Sequence, residues 1–261
     1  MPESPATARP TEPAVAGRIV VVGAGRMGTA LVTRLREAGL DVRGSERRGE
    51  TAADAAVVLL AVPDAAITDA ADAVVPGRLV GHVSGATTLD PLTPHEAFSM
   101  HPLMTVTGAD AHFEGVSAAI AGTTPRAAAT ATALARALGM TPTEVADTDR
   151  VAYHAAASMA SNFLVTLEHL ATSLAATAGV DRAALVPLVR ASVENWAAHG
   201  AHALTGPIVR GDDDVVAAQR RSVAERMPDA LSVFDALAEV TRAVAASTRP
   251  ANPAHPAEGA S

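Results

Sequence analysis

The sequence predicts an α/β protein in which a doubly wound, mostly parallel sheet is followed by an all-helical second domain. In the first half of the chain, apolar runs of strand character alternate with helical periods, the pattern of a parallel sheet with crossover helices. After about residue 148 the sequence shows only helical periods. We therefore expect a first domain over residues 17–148 and a helical domain over residues 149–247. The Pro- and Ala-rich ends, residues 1–16 and 248–261, are expected to be disordered.

The strands of the first domain are predicted from short apolar runs bounded by turn residues. These runs are RIVVV (18–22), LDVRG (40–44), AAVVLLAV (55–62), RLVGHV (78–83), AFSMH (97–101) and VSAAIAG (116–122). Between the first two, Met27, Leu31 and Leu35 recur at helical spacing. That spacing predicts a helix with one apolar face on the sheet.

The helices of the second domain are predicted from apolar periods that end at glycines. The periods cover residues 149–178, 181–199, 213–226 and 228–247. Gly179 and Gly200 end the first two, and Gly206-Pro207 breaks the chain before the third.

Composition excludes several classes of function. The net charge is −8 and no basic run occurs, so a nucleic acid partner is not expected. No signal sequence and no apolar stretch of roughly 20 residues is evident, so we expect a cytoplasmic protein without a membrane partner. Cysteine is absent, no spacing proposes a metal site, and all 20 basic residues are arginine. A lysine acid, base or Schiff base is therefore excluded.

A glycine-rich turn follows the first strand, at the mouth of the first helix. The sequence GAGRMG places Gly23, Gly25 and Gly28 where a dinucleotide-binding turn needs a tight bend, a close approach of the backbone to pyrophosphate, and close packing of helix on strand. The whole turn is the predicted cofactor site, comprising Gly23, Ala24, Gly25, Arg26, Met27 and Gly28. The alternative is a glycine turn that only packs.

The end of the second strand predicts which dinucleotide binds. A site for NAD has an acid there to hold the ribose 2′-hydroxyl, but this chain has Ser45, Glu46, Arg47 and Arg48. A hydroxyl and two guanidinium groups suit a 2′-phosphate, so we expect Ser45, Arg47 and Arg48 to bind NADP. Glu46 is the residue that favours the opposite preference, and a solvated arginine pair is the structural alternative.

Polar residues at the other strand ends form the predicted catalytic region, because ligands of doubly wound sheets lie at the carboxyl ends of the strands. The third strand ends at Val62 and leads into Pro63, whose backbone is expected to pass the cofactor ribose. Ser84 follows the fourth strand and His101 ends the fifth. We assign proton transfer to His101, because imidazole titrates near neutral pH.

The helix beginning near residue 149 carries polar residues on an otherwise small and apolar face. His154, Ser158 and Asn162 recur at i, i+4 and i+8, which places them on one face of an α-helix. We expect this face to meet the substrate, with Asn162 orienting the reacting group and His154 as a second candidate acid. The alternative is that these side chains bond one another within a helix pair, and Asn195 on the next helix has the same two interpretations.

The loop TGPIVRGDDD supplies a candidate anion site. Arg210 can hold a substrate carboxylate in bidentate fashion. The alternative is that Arg210 pairs with the acids that follow it.

These motifs together resemble a known family. GAGRMG, LLAVPDAAI, HVSGA, SMHPLMT, YHAAASMASNFLVTL and ALTGPIVRGD are similar to a family in which a Rossmann domain precedes a helical domain of formerly unknown function, DUF2520-like. The resemblance covers about residues 17–245. More distantly, it extends to pyrroline-5-carboxylate reductases, deazaflavin-dependent NADP reductases, prephenate dehydrogenases and ketopantoate reductases.

The resemblance implies an NADP-dependent oxidoreductase that forms a homodimer through its helical substrate domain. The favoured reaction is reduction of 2-dehydropantoate (ketopantoate) to pantoate, a step of pantothenate biosynthesis. In prephenate dehydrogenases a serine and a histidine matching Ser84 and His101 bind the reacting hydroxyl. Ketopantoate reductases rely on a lysine, which this chain lacks. An imine reductase of the pyrroline-5-carboxylate type and a non-catalytic NADP-binding sensor are the alternatives.

Overall fold

A seven-stranded sheet forms the centre of the first part of the chain. A computed structural model describes residues 15–47, 49–108 and 110–248. The strands are β1 (Ile19–Val22), β2 (Val42–Ser45), β3 (Val57–Leu60), β4 (Leu79–His82), β5 (Glu96–Pro102), β6 (Ser117–Gly122) and β7 (Thr141–Glu144). Their order is β2-β1-β3-β4-β5-β6-β7, and all neighbours are parallel except β5 and β6.

Helices cover both faces of this sheet. They are α1 (Arg26–Glu37), α2 (Ile67–Asp72) and α3 (Pro125–Ala137), and a further helix, α4 (Arg150–Ser158), follows β7. β1 is fully apolar because its residues alternate between two cores: Ile19 and Val21 pack with α1 and α3, and Val20 and Val22 pack with α2. The predicted doubly wound, mostly parallel fold is confirmed.

One strand was missed and one helix is more broken than its sequence pattern predicts. β7 has the sequence TPTE and is largely exposed, so it carries none of the apolar signal by which the other strands were found. The predicted helix 149–178 is interrupted by a π-helical turn, Met159–Phe163, between α4 and the next helix.

A separate helical unit follows. It consists of α5 (Leu164–Ala176), α6 (Arg182–His199), α7 (Pro207–Arg210), α8 (Asp213–Arg226) and α9 (Leu231–Ser247). Its buried apolar residues lie in α8, in α9 and in the turn between them, for example Val216, Ala230 and Ala238, whereas α5 and α6 contain none. No helix within the described ranges is both long and apolar enough to cross a membrane.

The chain divides into its two compact units after Ser161, later than the 148/149 boundary predicted from the sequence. The reason lies in α4. Its first residue, Arg150, is fully buried and donates from Nε to the Thr87 carbonyl oxygen at 2.9 Å. Through this contact α4 belongs to the first unit, together with the sheet.

Candidate active site

The glycine turn after β1 has the geometry of a dinucleotide cradle. Gly23 has φ +117, and a Cβ there would lie 2.3 Å from the Ala61 carbonyl oxygen. A Cβ on Gly28 would lie 2.0 Å from the Gly23 carbonyl oxygen, so neither position admits a side chain. A Cβ on Gly25 would meet no atom within 4 Å. The turn is thus closed where helix meets strand and open where a pyrophosphate would approach.

A groove of about 350 Å³ lies over this turn and reaches the end of β2. It is lined in part by Gly23, Ala24, Gly28, Arg36, Ser45 and Glu46. Arg26 is exposed at the start of α1, and the half-buried Met27 packs against the core. The first turn of α1 contains no acid, so its N-terminus can receive an anion. These residues fit a dinucleotide.

The strand end after β3 lies against the same turn. The Val62 side chain packs on the second core and would lie 3.4 Å from a Cβ at Gly23. Pro63 follows, and its carbonyl oxygen accepts a hydrogen bond from the Ala66 amide at 2.8 Å. The fold therefore brings Val62 next to the glycine turn, and cofactor binding by Val62 and Pro63 stays a prediction.

The end of β2 differs from the predicted 2′-phosphate site, because the Ser45 hydroxyl is already engaged. Ser45 Oγ donates to Glu50 Oε2 at 2.6 Å and accepts from the Arg47 amide at 3.3 Å. Hydrogen bonds from Arg43, Ser45 and the Ala52 amide lower the pKa of Glu50 to about 2, so Glu50 is a carboxylate at neutral pH.

The cations near this end of the groove are only partly those expected. The Arg47 side chain is exposed, and Arg48 lies outside the described residues. Arg36, on α1, lines the groove and donates from Nε to the Val42 carbonyl oxygen at 2.8 Å. Arg36 and Glu50 were therefore missed by the sequence analysis, which considered only the residues directly after β2.

A second polar cluster gathers at the ends of β4 and β5, within the first unit. His101 Nδ1 lies 2.8 Å from Tyr153 Oη, and its ring centroid lies 6.1 Å from that of His154. Both imidazoles lie against Gly85, where a Cβ would come within 2.6 Å of His154 Cδ2 and 2.9 Å of His101 Nε2. We refer to His101, Tyr153, His154 and Arg150 as the α4 cluster.

His101 is not the near-neutral imidazole that the sequence analysis assumed. Burial lowers its pKa to about 4, and the charges of His154 and Arg150 act in the same direction. At neutral pH the ring is therefore neutral. It can accept or donate a hydrogen bond, but it holds no imidazolium proton to give away.

Ser84 is also engaged within its own turn. Its hydroxyl donates to Thr87 Oγ1 at 2.9 Å and accepts from the Thr87 amide at 3.0 Å. In this arrangement Ser84 closes the turn after β4, whereas the sequence analysis expected it to bind a reacting hydroxyl. The physical reason is the short polar segment SGATT, which offers Ser84 partners two and three residues away.

Arg150 is the least exposed large side chain of the α4 cluster. Besides its bond to the Thr87 carbonyl, Nε lies 3.4 Å from Asp147 Oδ1. Its terminal nitrogens, Nη1 and Nη2, are buried and have no hydrogen-bond partner among the described residues. A buried guanidinium with so few partners is electrostatically unusual, and burial lowers its pKa.

The remaining predicted substrate residues do not lie on one face of a single α-helix. His154 and Ser158 are partly buried on α4, but Asn162 is exposed in the π-helical turn, where five-residue bonding breaks the predicted i, i+4, i+8 spacing. Asn195 is exposed on α6. Arg210 donates from Nε to Asp212 Oδ2 at 2.8 Å, which is the alternative stated for it from the sequence.

Comparison with known protein families gives one match, which runs from β6 into α9. Residues 116–241 match the family described as "Domain of unknown function (DUF2520)". This match spans just under half of the chain. The predicted resemblance to this family is confirmed. No curated protein matches this sequence.

Solved structures share the fold over most of this chain. A proposed NADP oxidoreductase from Bacteroides fragilis has a TM-score of 0.74 at 20% identity, covering 87% of this chain and 98% of that one. Protein TM1727 from Thermotoga maritima has a TM-score of 0.73 at 22% identity, covering 89% and 100%. A reductive aminase from Aspergillus terreus, in complex with NADPH and ethyl levulinate, has a TM-score of 0.63 at 14% identity, covering 89% of this chain and 95% of that one. At these identities the likeness establishes the fold.

Two residues of the site have no role assigned from the sequence. Tyr153 appears there only within the motif YHAAASMASNFLVTL, although it is the sole tyrosine of the chain and stands next to His154. Arg150 was not considered, because nothing in the sequence distinguishes a buried arginine from a solvated one. Both emerge as functional candidates only when α4 is seen packed on the ends of β4 and β5.

Proposed function

We propose that the protein is an NADPH-dependent reductase of a small carbonyl acid, with 2-dehydropantoate as the favoured substrate. The observation that carries the proposal is the glycine turn, closed at Gly23 and Gly28 and open at Gly25. A turn of this kind costs chain entropy and is expected where a backbone must approach a bound dinucleotide.

The cofactor in this proposal is NADPH, with the pyrophosphate at the N-terminus of α1 and the 2′-phosphate near the end of β2. Arg47 and Arg36 supply positive charge there, and Glu46 and Glu50 oppose it. When bound, the reduced nicotinamide supplies a hydride. An NADPH complex of a reductive aminase and a proposed NADP oxidoreductase share this fold, so NADPH is compatible with it.

The substrate's carboxylate is assigned to Arg210. In its present pairing, Asp212 occupies the Nε of this guanidinium, and both side chains are substantially exposed. An exposed ion pair of this kind contributes up to about 1 kcal/mol, so a substrate carboxylate can displace Asp212 at small cost. Asn162 and Asn195, both exposed, are assigned to the polar groups of the substrate.

The protein is proposed to act as a homodimer through its helical unit. α5 and α6 bury no residue in the single chain. Phe163, Val165, Leu188 and Trp196 are between 61% and 70% exposed. Exposed apolar surface of this extent on two adjacent helices favours a second copy as its partner. The cytoplasmic location stays a prediction from the sequence.

A panel assay tests the proposal and separates it from its alternatives. Steady-state oxidation of NADPH is measured with 2-dehydropantoate, other small 2-oxo acids and cyclic imines, alongside direct NADPH titration. Turnover of a 2-oxo acid supports the proposal. Turnover of imines alone makes the protein an imine reductase, an outcome compatible with the fold shared with the reductive aminase. Binding without any turnover makes it an NADP-binding sensor.

A further inference from the structure

Most polar groups at the ends of β4 and β5 are committed to local bonds. Ser84 donates to Thr87. His82 is fully buried, with Nε2 3.0 Å from the Thr88 carbonyl oxygen and Nδ1 accepting from the Ser84 amide at 3.2 Å. His101 is neutral at neutral pH, for the reasons given above. Two candidate donors of this region remain, the imidazole of His154 and the phenol of Tyr153, and the phenol is the one that contacts His101, at 2.8 Å.

We infer that Tyr153 donates the proton to the substrate oxygen, with His101 and Arg150 as the residues that position and support it. The inference rests on the proposed reductase function and deepens it. It stands on the contact of 2.8 Å between Tyr153 Oη and His101 Nδ1 and on the position of Arg150 one helical turn before Tyr153 on α4.

The tautomer of His101 decides whether the phenol is available. A phenol has one hydrogen, so Tyr153 cannot donate to His101 and to a substrate at the same time. When the neutral His101 ring carries its hydrogen on Nδ1, that N–H donates to Tyr153 Oη and leaves the phenolic hydrogen for the substrate. Gly85 leaves room for the His101 ring in this position, because a Cβ there would lie 2.9 Å from His101 Nε2.

Arg150 offers the charge that the phenolate needs after the transfer. Burial raises the pKa of Tyr153, and the positive charge of Arg150 opposes that rise. Among the described residues, Asp147 is the one carboxylate that pairs with this guanidinium, and the Nη atoms of Arg150 have no acceptor there. Its charge is therefore little compensated and stabilises an anion that forms beside it.

The step balances without any further reactant. A hydride from the reduced nicotinamide forms the new C–H bond at the carbonyl carbon while the C=O π bond breaks. The electron pair of that bond moves to oxygen, which takes the proton of Tyr153 Oη and becomes a hydroxyl. The Tyr153 phenolate, held by the His101 N–H and by Arg150, then regains a proton from solvent.

The first test compares Tyr153→Phe with the wild type and with Val151→Ala, an exposed change on the same helix. Removal of the phenol should lower kcat by about 10²- to 10⁴-fold, the range for a general acid, with NADPH affinity unchanged. Val151→Ala should leave both unchanged. If Tyr153→Phe retains most of its turnover, or if only His154→Gln loses it, Tyr153 is not the donor.

The second test needs no substrate, because Tyr153 is the only tyrosine of the chain. Its ionisation can be followed by tyrosinate absorbance as the pH is raised. Arg150→Met should raise the titration midpoint by about 1 pH unit or more, and Arg150→Lys should restore most of it, if the charge acts on the phenol. Equal midpoints in all three proteins would overturn the role of Arg150. Circular dichroism at neutral pH confirms that each variant is folded.

Together the two tests distinguish the possible failures. A wild type that oxidises NADPH while Tyr153→Phe does so equally well refutes the proton donor and leaves the reductase function standing. A wild type that turns over no substrate refutes the reductase function and the proton donor together. In that case the absorbance titration still decides whether Arg150 stabilises an anion at Tyr153.

Discussion

The neutral state of His101 makes stability depend on pH in a way that one substitution removes. The pKa of this ring is 6.5 in an unfolded chain and about 4 in the folded protein, where His154, Arg150, His82 and Asp64 surround it. Because the unfolded state binds the proton more tightly, the contribution of His101 is fully present above pH 6.5 and is lost as the pH falls toward 4. From about pH 8 to about pH 5 this loss amounts to about 2 kcal/mol. Solvent reaches part of the ring, so the figure is an upper value.

The assay is urea denaturation at both pH values, for the wild type, His101→Gln and Tyr153→Phe. His101→Gln has no ring to protonate, so its free energy of unfolding should fall by up to about 2 kcal/mol less than that of the wild type. Tyr153→Phe retains the ring and should lose as much as the wild type. The buried His82 contributes to all three proteins and cancels. Identical losses in the wild type and His101→Gln would refute a neutral, buried His101.

The remaining predictions concern the cofactor, the assembly and the carboxylate. Titration should show NADPH binding at least about tenfold more tightly than NADH, with Arg47→Ser reducing the difference, since a charge-assisted contact contributes roughly 1.5 to 3 kcal/mol; equal affinities would contradict this. Gly25→Val should fold like the wild type yet lose cofactor binding at least about tenfold, whereas Gly28→Ala should lower stability, because only the second places a Cβ against the backbone; intact NADPH binding by Gly25→Val would remove the glycine cradle from the account. Light scattering at micromolar concentration should give the mass of a dimer, and a monomer would show that α5 and α6 need no partner copy. Arg210→Ala should lower kcat/KM by about 10- to 150-fold for a 2-oxo acid and much less for its neutral amide; equal losses would mean that Arg210 only holds Asp212.

The fold could be predicted from the sequence because its strands are buried on both faces. A run such as IVVV at 19–22 predicts a strand that is buried on both faces. The change to helical periods after about residue 148 predicts the second, helical domain in the same way. β7 was not predicted because an exposed edge strand needs no apolar residues. The π-helical turn at Met159–Phe163 was not predicted because no proline or glycine marks it in the sequence.

The site was only partly predictable, since its chemistry depends on contacts between distant residues. The glycine turn is a local motif and could be identified directly. The pairing of His101 with Tyr153, 52 residues later, is a product of the fold, and so is the burial that lowers the pKa of His101. Ser84 shows the opposite case, because its partner is only three residues away and the turn sequence already offered that bond.

The central claim is that this chain transfers hydride from NADPH to the carbonyl carbon of a small acid. The most direct measurement uses NADPH carrying deuterium at the transferable position of the nicotinamide, with 2-dehydropantoate as substrate and mass spectrometry of the product. The account predicts one deuterium on the carbon that was the carbonyl, and loss of that product in Tyr153→Phe. Tight binding of the labelled cofactor with no deuterium in any product, across 2-oxo acids and imines alike, would contradict it.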